Sequence, residues 1–290
     1  QFPDALYLQH QWLDLIADTL RHEAIGLVAE SAGNVRGILP LIRIRSRTFG
    51  HMIVSLPFLN LGGVRADSEA TEKALLGRAI LEARDSGAEY LEIREDRPLE
   101  GMMHVQRKVS MTIDLSPGEA AIWEGFSSKH RTNVRRAEKH GIEASTGGPE
   151  HLSLFYMLME VGWRALGTPV LPKAFFTQVS DRFRDGVRIT VARQGGKPVA
   201  AALNLVHGDT LEGMWLASDP AFRGLQPNYV LYWEMIRSAC REGLTHYHLG
   251  RSTAGSGPAR FKEKWNPQVR TLTWNYHLEG RESPPELNPD

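Results

Sequence analysis

Apolar and polar positions change period along the chain, and each change marks an element. "QHQWLDLIADTLRH" carries its apolar residues at helical spacing. "AIGLVAE" and "VRGILPLIRIR" alternate around "SAGN", which predicts a hairpin. "HMIVSLPFLN" predicts a third strand that runs into the paired glycines of "LGG", where the backbone can turn sharply or approach a neighbour closely. Leu75, Ala79, Ile80 and Ala83 then fall at helical spacing between an Asp67–Ser68 start and a Gly87 stop. "AEYLEIRED" and "VQRKVSMTIDL" return to strand-like alternation.

"SPGEAAIWEGF" opens a second series, with Pro117 suited to the first turn of a helix expected to continue through "SSKHRTNVRRAEKHG". Two further helices flank "ALGTPVLPKAFF", which Gly167 and Pro169 bend. Strands follow at "RITVAR", "KPVAAALNLVHG" and "TLEGMWLAS", then a helix from Asn228 to Gly243. The strand "THYHLG" is expected to end at Gly250 and a Gly/Ser loop to begin at Arg251, before a last strand "VRTLTWNYHL". Both halves read as hairpin, third strand, helix and further strands. That order predicts a duplicated α/β unit, with domains over 1–115 and 116–290 and a binding cleft between them.

The basic stretch resolves into rows at about 100° per residue. Trp123, Phe126, His130, Val134 and Ala137 make one apolar stripe, the core face, so His130 is read as packed. Arg131, Arg135 and Lys139 lie opposite, as a solvated row. Lys129, Asn133 and Arg136 flank the stripe, where two cations and an amide suit a phosphate or carboxylate.

Composition changes this picture only by exclusion. Lys plus Arg and Asp plus Glu both number 34, so the formal net charge is zero, and the chain lacks the basic excess of a non-specific nucleic-acid binder. The single cysteine, Cys240, excludes an internal disulfide framework and any multi-cysteine metal site, and its helical surroundings suggest packing. No window reaches about 18 uninterrupted apolar residues and no apolar signal core opens the chain. The expectation is a cytoplasmic protein, with attachment to the periphery of the inner membrane left open.

"YHLGRSTAGSGPARFKEKW" is the most unusual segment. Small residues after Gly250 let backbone N–H groups approach an anion, with Arg251 and Lys262 supplying charge and Ser252 and Thr253 hydroxyls. It lacks the Walker order, and the chain has no GxSxG, HExxH or GxGxxG motif. Neither a metal nor a covalent enzyme intermediate is expected.

These segments resemble a known family. "SSKHRTNVRRAEKHGIEA" is similar to the signature of the FemAB/FemX-type peptidoglycan-bridge transferases, and "ARFKEKW" to their Phe–Lys segment. "PFLNLGG", "LGTPVLPKAFF", "DTLEGMWLAS", "PNYVLYWEMIRSAC" and "LGRSTAGSGPARFKEKW" resemble the FemAB-related proteins of exosortase/PEP-CTERM systems. The resemblance covers most of the chain from Pro57 to Trp265, in order. It implies two tandem GNAT-like domains and direct acyl or aminoacyl transfer to an amine of a peptidoglycan, cell-envelope or exopolysaccharide precursor. The donor implied is aminoacyl-tRNA or an acyl thioester. "RGLQP" departs from the RxxGxG pattern that binds coenzyme A, and Pro227 removes an amide donor, which points away from acetyl-coenzyme A.

The match at Phe261–Lys262 makes Lys262 the first candidate for charge stabilisation. Arg251, Lys129 and Arg136 are second anion contacts, and the general base is Glu212 or a group on the substrate. Asn228 either caps its helix or meets substrate, while Tyr229 and Trp215, like Trp265, are core or cleft wall. Two other readings remain open here. One is a non-catalytic module gripping a phosphorylated glycan or RNA; the other is an acyltransferase whose acyl-carrier protein docks on the Arg131/Arg135/Lys139 row.

Overall fold

The structure, a computed structural model, describes residues 6–47, 50–280 and 282–284. The chain divides into two compact units, residues 1–109 with 270–290, and residues 110–269. Among the described residues no helix is long and apolar enough to cross a membrane.

In the first unit, helix α1 (Gln11–Leu20) precedes the hairpin of β1 (Glu23–Ser31) and β2 (Asn34–Ser46). Ala32 and Gly33 make its turn at φ 51° and 74°, the left-handed geometry a two-residue hairpin loop demands. Strand β3 (Gly50–Val54) pairs antiparallel with β2, and the short β4 (Arg65–Ala66) pairs with β2 as well. Helix α2 (Glu69–Ser86) starts where the Ser68 hydroxyl accepts the Thr71 N–H and stops at left-handed Gly87, as its sequence signals predict. Strand β5 (Tyr90–Glu95) lies parallel to β3, and the last strand, β12 (Gln268–Leu278), pairs antiparallel with β5. Leu39, Leu41, Ile53, Leu91 and Ile93 bury one face of these strands with Leu75, Leu76, Ala79 and Ala83 of α2. Strand β6 (Met103–Asp114) carries the chain into the second unit.

The second unit begins with α3 (Gly118–Gly125) and α4 (Ser128–Lys139). Strand β7 (Ile142–Gly147) and helices α5 (Leu152–Ala165) and α6 (Lys173–Arg182) follow. Strands β8 (Val187–Gln194), β9 (Lys197–His207) and β10 (Thr210–Ser218) form an antiparallel meander with β7. Helix α7 (Pro227–Arg241) then leads to β11 (His246–Thr253), which lies parallel to β10, and α8 (Gly257–Glu263) follows. Met235 of α7 accepts contacts from Asn204 and Tyr247 on one face of the sheet. Phe175 and Phe176 of α6 meet Trp215 on the other face, and Phe155 of α5 joins them.

The structure revises three local expectations. The helix opening at Pro117 does not run through the basic stretch: Phe126 is extended (φ −73°, ψ 147°), and Ser127 starts a new helix by accepting the His130 N–H. Arg131 holds that break, donating to the carbonyls of Trp123, Glu124 and Phe126, so it is not a free surface cation. Strand β11 runs to Thr253 rather than ending at Gly250, because strand pairing carries the small polar residues that composition alone reads as loop.

Candidate functional site

Strands β10 and β11 form a fork. They pair through Thr210↔His246, Leu211↔Tyr247 and Glu212↔His248, where the register ends. Strand β10 stays in register with β9 to Ser218↔Ala200. A bulge between Gly213 and Trp215 accompanies the parting, with Glu212 opposite Leu205 and Trp215 opposite Leu203. Since Leu205 and Leu203 share a face, the bulge keeps Glu212 and Trp215 on one face although they are three positions apart. Gly213 stands at the apex. A Cβ there would sit 2.8 Å from the His248 carbonyl oxygen, so the strands can meet this closely only at glycine.

The parallel register brings Glu212 and His248 together. Nδ1 of His248 is 2.5 Å from Oε1 of Glu212, out of line for a hydrogen bond, and the two side chains are only 12% and 11% exposed. Sequence reading singled out Glu212 but saw His248 only as a strand histidine without a nearby carboxylate. The missing information was the β10–β11 register, which links residues separated by an entire helix.

Lys262 closes the other side of β11. The Ser256 hydroxyl caps α8 by accepting the Ala259 N–H, and the Lys262 ammonium donates to the carbonyls of Gly250 at 3.2 Å and Arg251 at 3.1 Å. Consecutive strand carbonyls point to opposite sides, and the left-handed Gly250 (φ 72°) breaks that alternation so that both reach one amine. Burial, reinforced by the Arg251 charge, lowers the Lys262 pKa to about 8.

Beside it, His130, Tyr229, Phe261 and Trp265 form an aromatic cluster that joins α4, α7 and α8. Ring centroids lie 4.3 Å apart for His130–Trp265 and 5.1 Å for Tyr229–Phe261. Burial, with a smaller contribution from Lys264, lowers the His130 pKa to about 4, so this imidazole is neutral near pH 7. The Tyr229 hydroxyl accepts from Asn133 at 3.1 Å and Lys264 at 3.3 Å.

The candidates thus separate into groups. Asn133, Tyr229 and Phe261 meet in the aromatic cluster, Lys262 and Arg251 meet at the end of β11, and Glu212 meets His248. Ser252 is buried in β11 and Thr253 half-buried. Trp215, 6% exposed, packs on Phe175 and Phe176. Asn228 does not cap α7, whose cap position is Gln226; its Oδ1 is buried without a hydrogen-bond partner among the described residues. Lys129 and Arg136 are exposed on α4. Among the described residues no group of three His, Cys, Asp or Glu is placed to hold a metal ion.

Residues 128–263, from the first residue of α4 to the last of α8, match the family described as Acetyltransferase (GNAT) domain. No curated protein sequence matches significantly. The whole chain is similar in structure to FemX, with a TM-score of 0.67 at 15% identity over 93% of this chain and 92% of that one. It is also similar to the C-terminal domain assigned to a lysylphosphatidylglycerol synthetase of Agrobacterium fabrum (TM-score 0.63, 13% identity, 92% of this chain, 87% of that one). A tandem GNAT protein from the clavulanic acid biosynthesis pathway gives 0.61 at 14% identity, over 94% of this chain and 95% of that one. The chain thus has a two-domain GNAT-like fold shared with FemX, and residues 128–263, just under half of it, match the acetyltransferase (GNAT) domain family.

Proposed function

We propose that the chain transfers an acyl or aminoacyl group directly to an amine of a phosphorylated cell-envelope precursor, whether of peptidoglycan or of an exopolysaccharide. The observation that carries this reading is the fork, which parts beside a buried carboxylate–imidazole pair. Direct transfer needs no enzyme nucleophile. The acceptor amine gives a proton to the Glu212–His248 pair and its nitrogen forms a bond to the acyl carbon. The ester or thioester bond of the donor then breaks, and the leaving oxygen or sulfur takes a proton back. A base formed by enzyme residues favours this reading over a non-catalytic module.

Lys262, with its ammonium already held against β11, supplies positive charge for the developing oxyanion or a substrate phosphate. Arg251 adds charge beside it, and the exposed Lys129 and Arg136 are available to a phosphate reaching α4. An aminoacyl donor, such as aminoacyl-tRNA, is favoured by the likeness to FemX and to a lysylphosphatidylglycerol synthetase. An acyl thioester on a carrier protein is less well served by the outer row: Arg131 is engaged at the helix break and Arg135 lies over Trp123 at 5.4 Å. An acceptor of this kind would bring a cytoplasmic enzyme to the inner face of the membrane.

Glu212→Gln and His248→Gln test the reading. Each should keep the melting temperature within a few degrees and lower kcat by about 10²–10⁴-fold, the usual contribution of general base catalysis. Wild-type turnover in both variants would remove the pair from the reaction.

A further inference from the structure

The first unit contains a fork of the same construction. Strand β3 pairs in parallel with β5 through Met52↔Tyr90, Ile53↔Leu91 and Val54↔Glu92, with α2 between the strands in sequence. Strand β10 pairs with β11 through three residue pairs likewise, with α7 between. Val54 therefore stands where Glu212 stands, and Glu92 where His248 stands.

Beyond that pair the two forks differ. Strand β10 continues to Ser218, whereas β3 ends at Val54. The next residue, Ser55, bridges the gap: its N–H donates to the Glu92 carbonyl at 2.8 Å, and its hydroxyl accepts the Arg94 N–H at 2.8 Å. The corresponding residue of the second fork is Gly213, which has no side chain to offer. Past Ser55 the chain turns through Leu56 and Phe58 at φ 40° and 74°. Ser55 and Leu56 are fully buried and Leu59 is 1% exposed. Gly63 then closes on the end of β5, so near that a Cβ would lie 1.9 Å from a Glu95 carboxylate oxygen. The loop fills the fork where β10 and β11 leave theirs apart.

The carboxylate is committed as well. Oε1 of Glu92 accepts the Arg94 Nε–H at 2.6 Å, and the Tyr276 hydroxyl bonds to the same side chain. Val54 offers no partner like Glu212. To admit a donor, this fork would have to expel Ser55 and leave the buried Arg94 amide unpaired.

We infer that the first fork is a closed structural copy, and that the chain takes one equivalent of acyl donor, in the second fork alone. The inference rests on the acyl-transfer reading above. Native mass spectrometry and hydrogen–deuterium exchange of the full chain test it, with acetyl-coenzyme A and a non-hydrolysable aminoacyl-adenosine amide as probes. Whichever probe binds should do so once, slowing exchange in 210–218 and 246–253 and leaving 50–55 and 90–95 unchanged. A second equivalent, or slowed exchange in the first fork, overturns the one-site assignment while acyl transfer stands. Failure of both probes to bind overturns donor binding itself, and this inference with it. Ser55→Gly should speed exchange of the Arg94 amide at least tenfold and leave the transfer rate within twofold. Loss of transfer in a folded Ser55→Gly protein also counts against a closed copy.

Discussion

A buried ammonium carries the clearest consequence for a single residue. Lys262 has an ordinary pKa of 10.5 and a folded value of about 8, lowered by burial and then by Arg251. Below pH 8 both folded and unfolded chains hold the proton, and keeping the charge buried costs about 3 kcal/mol. Between pH 8 and 10.5 the unfolded chain binds the extra proton, so unfolding free energy from this group rises with pH. Activity should run the other way. If the ammonium stabilises charge in the transition state, kcat falls about tenfold per pH unit above 8, and Lys262→Met removes that limb while lowering the plateau. A rate that climbs through pH 8 would instead make the neutral amine a base and end the electrostatic role. The residue type and its Phe–Lys setting were legible in "ARFKEKW"; its two backbone partners were not, because they depend on the left-handed Gly250.

At the scale of elements, the basic stretch is the instructive case. Its apolar period located a buried stripe at four of its five positions, since Phe126, His130, Val134 and Ala137 are all at most 3% exposed while Trp123 is half-buried. The period could not show that the stripe is shared by two helices, because Phe126 keeps its apolar position while leaving helical geometry. Arg131 stabilises the break through three carbonyls of the preceding segment, and Asn266 adds a bond to the Gly125 carbonyl. Arg131→Ala should therefore destabilise the second unit by about 1–2 kcal/mol, more than an exposed helix cation would, given charge-assisted bonds to carbonyls at the end of the preceding helix. Urea unfolding midpoints for Arg131→Ala and Lys139→Ala would measure the contrast. Equal, small shifts would show the break to be held by packing alone.

For the whole molecule, zero net charge leaves local cation groups to set the response to salt. A phosphorylated acceptor met by two or three of Lys262, Arg251, Lys129 and Arg136 should give a log–log salt slope of about −2 for binding, since each phosphate contact releases less than one counterion. A much steeper slope for the acceptor, read by titration between low and physiological salt, would mean an extended polyanion instead. The β1–β2 hairpin, the duplication, the stops at Ser68 and Gly87 and the apolar face of α4 were determined by the sequence itself, because each depends on local period or on a residue's own backbone preference. The strand β7 and the break between α3 and α4 were not anticipated. Pairing across distance was decided only by tertiary structure. Glu212 meets His248, and Ser55 plugs one fork while Gly213 leaves the other unplugged, because a parallel register is set by how a crossover helix packs on its sheet. No local pattern in either strand records that packing.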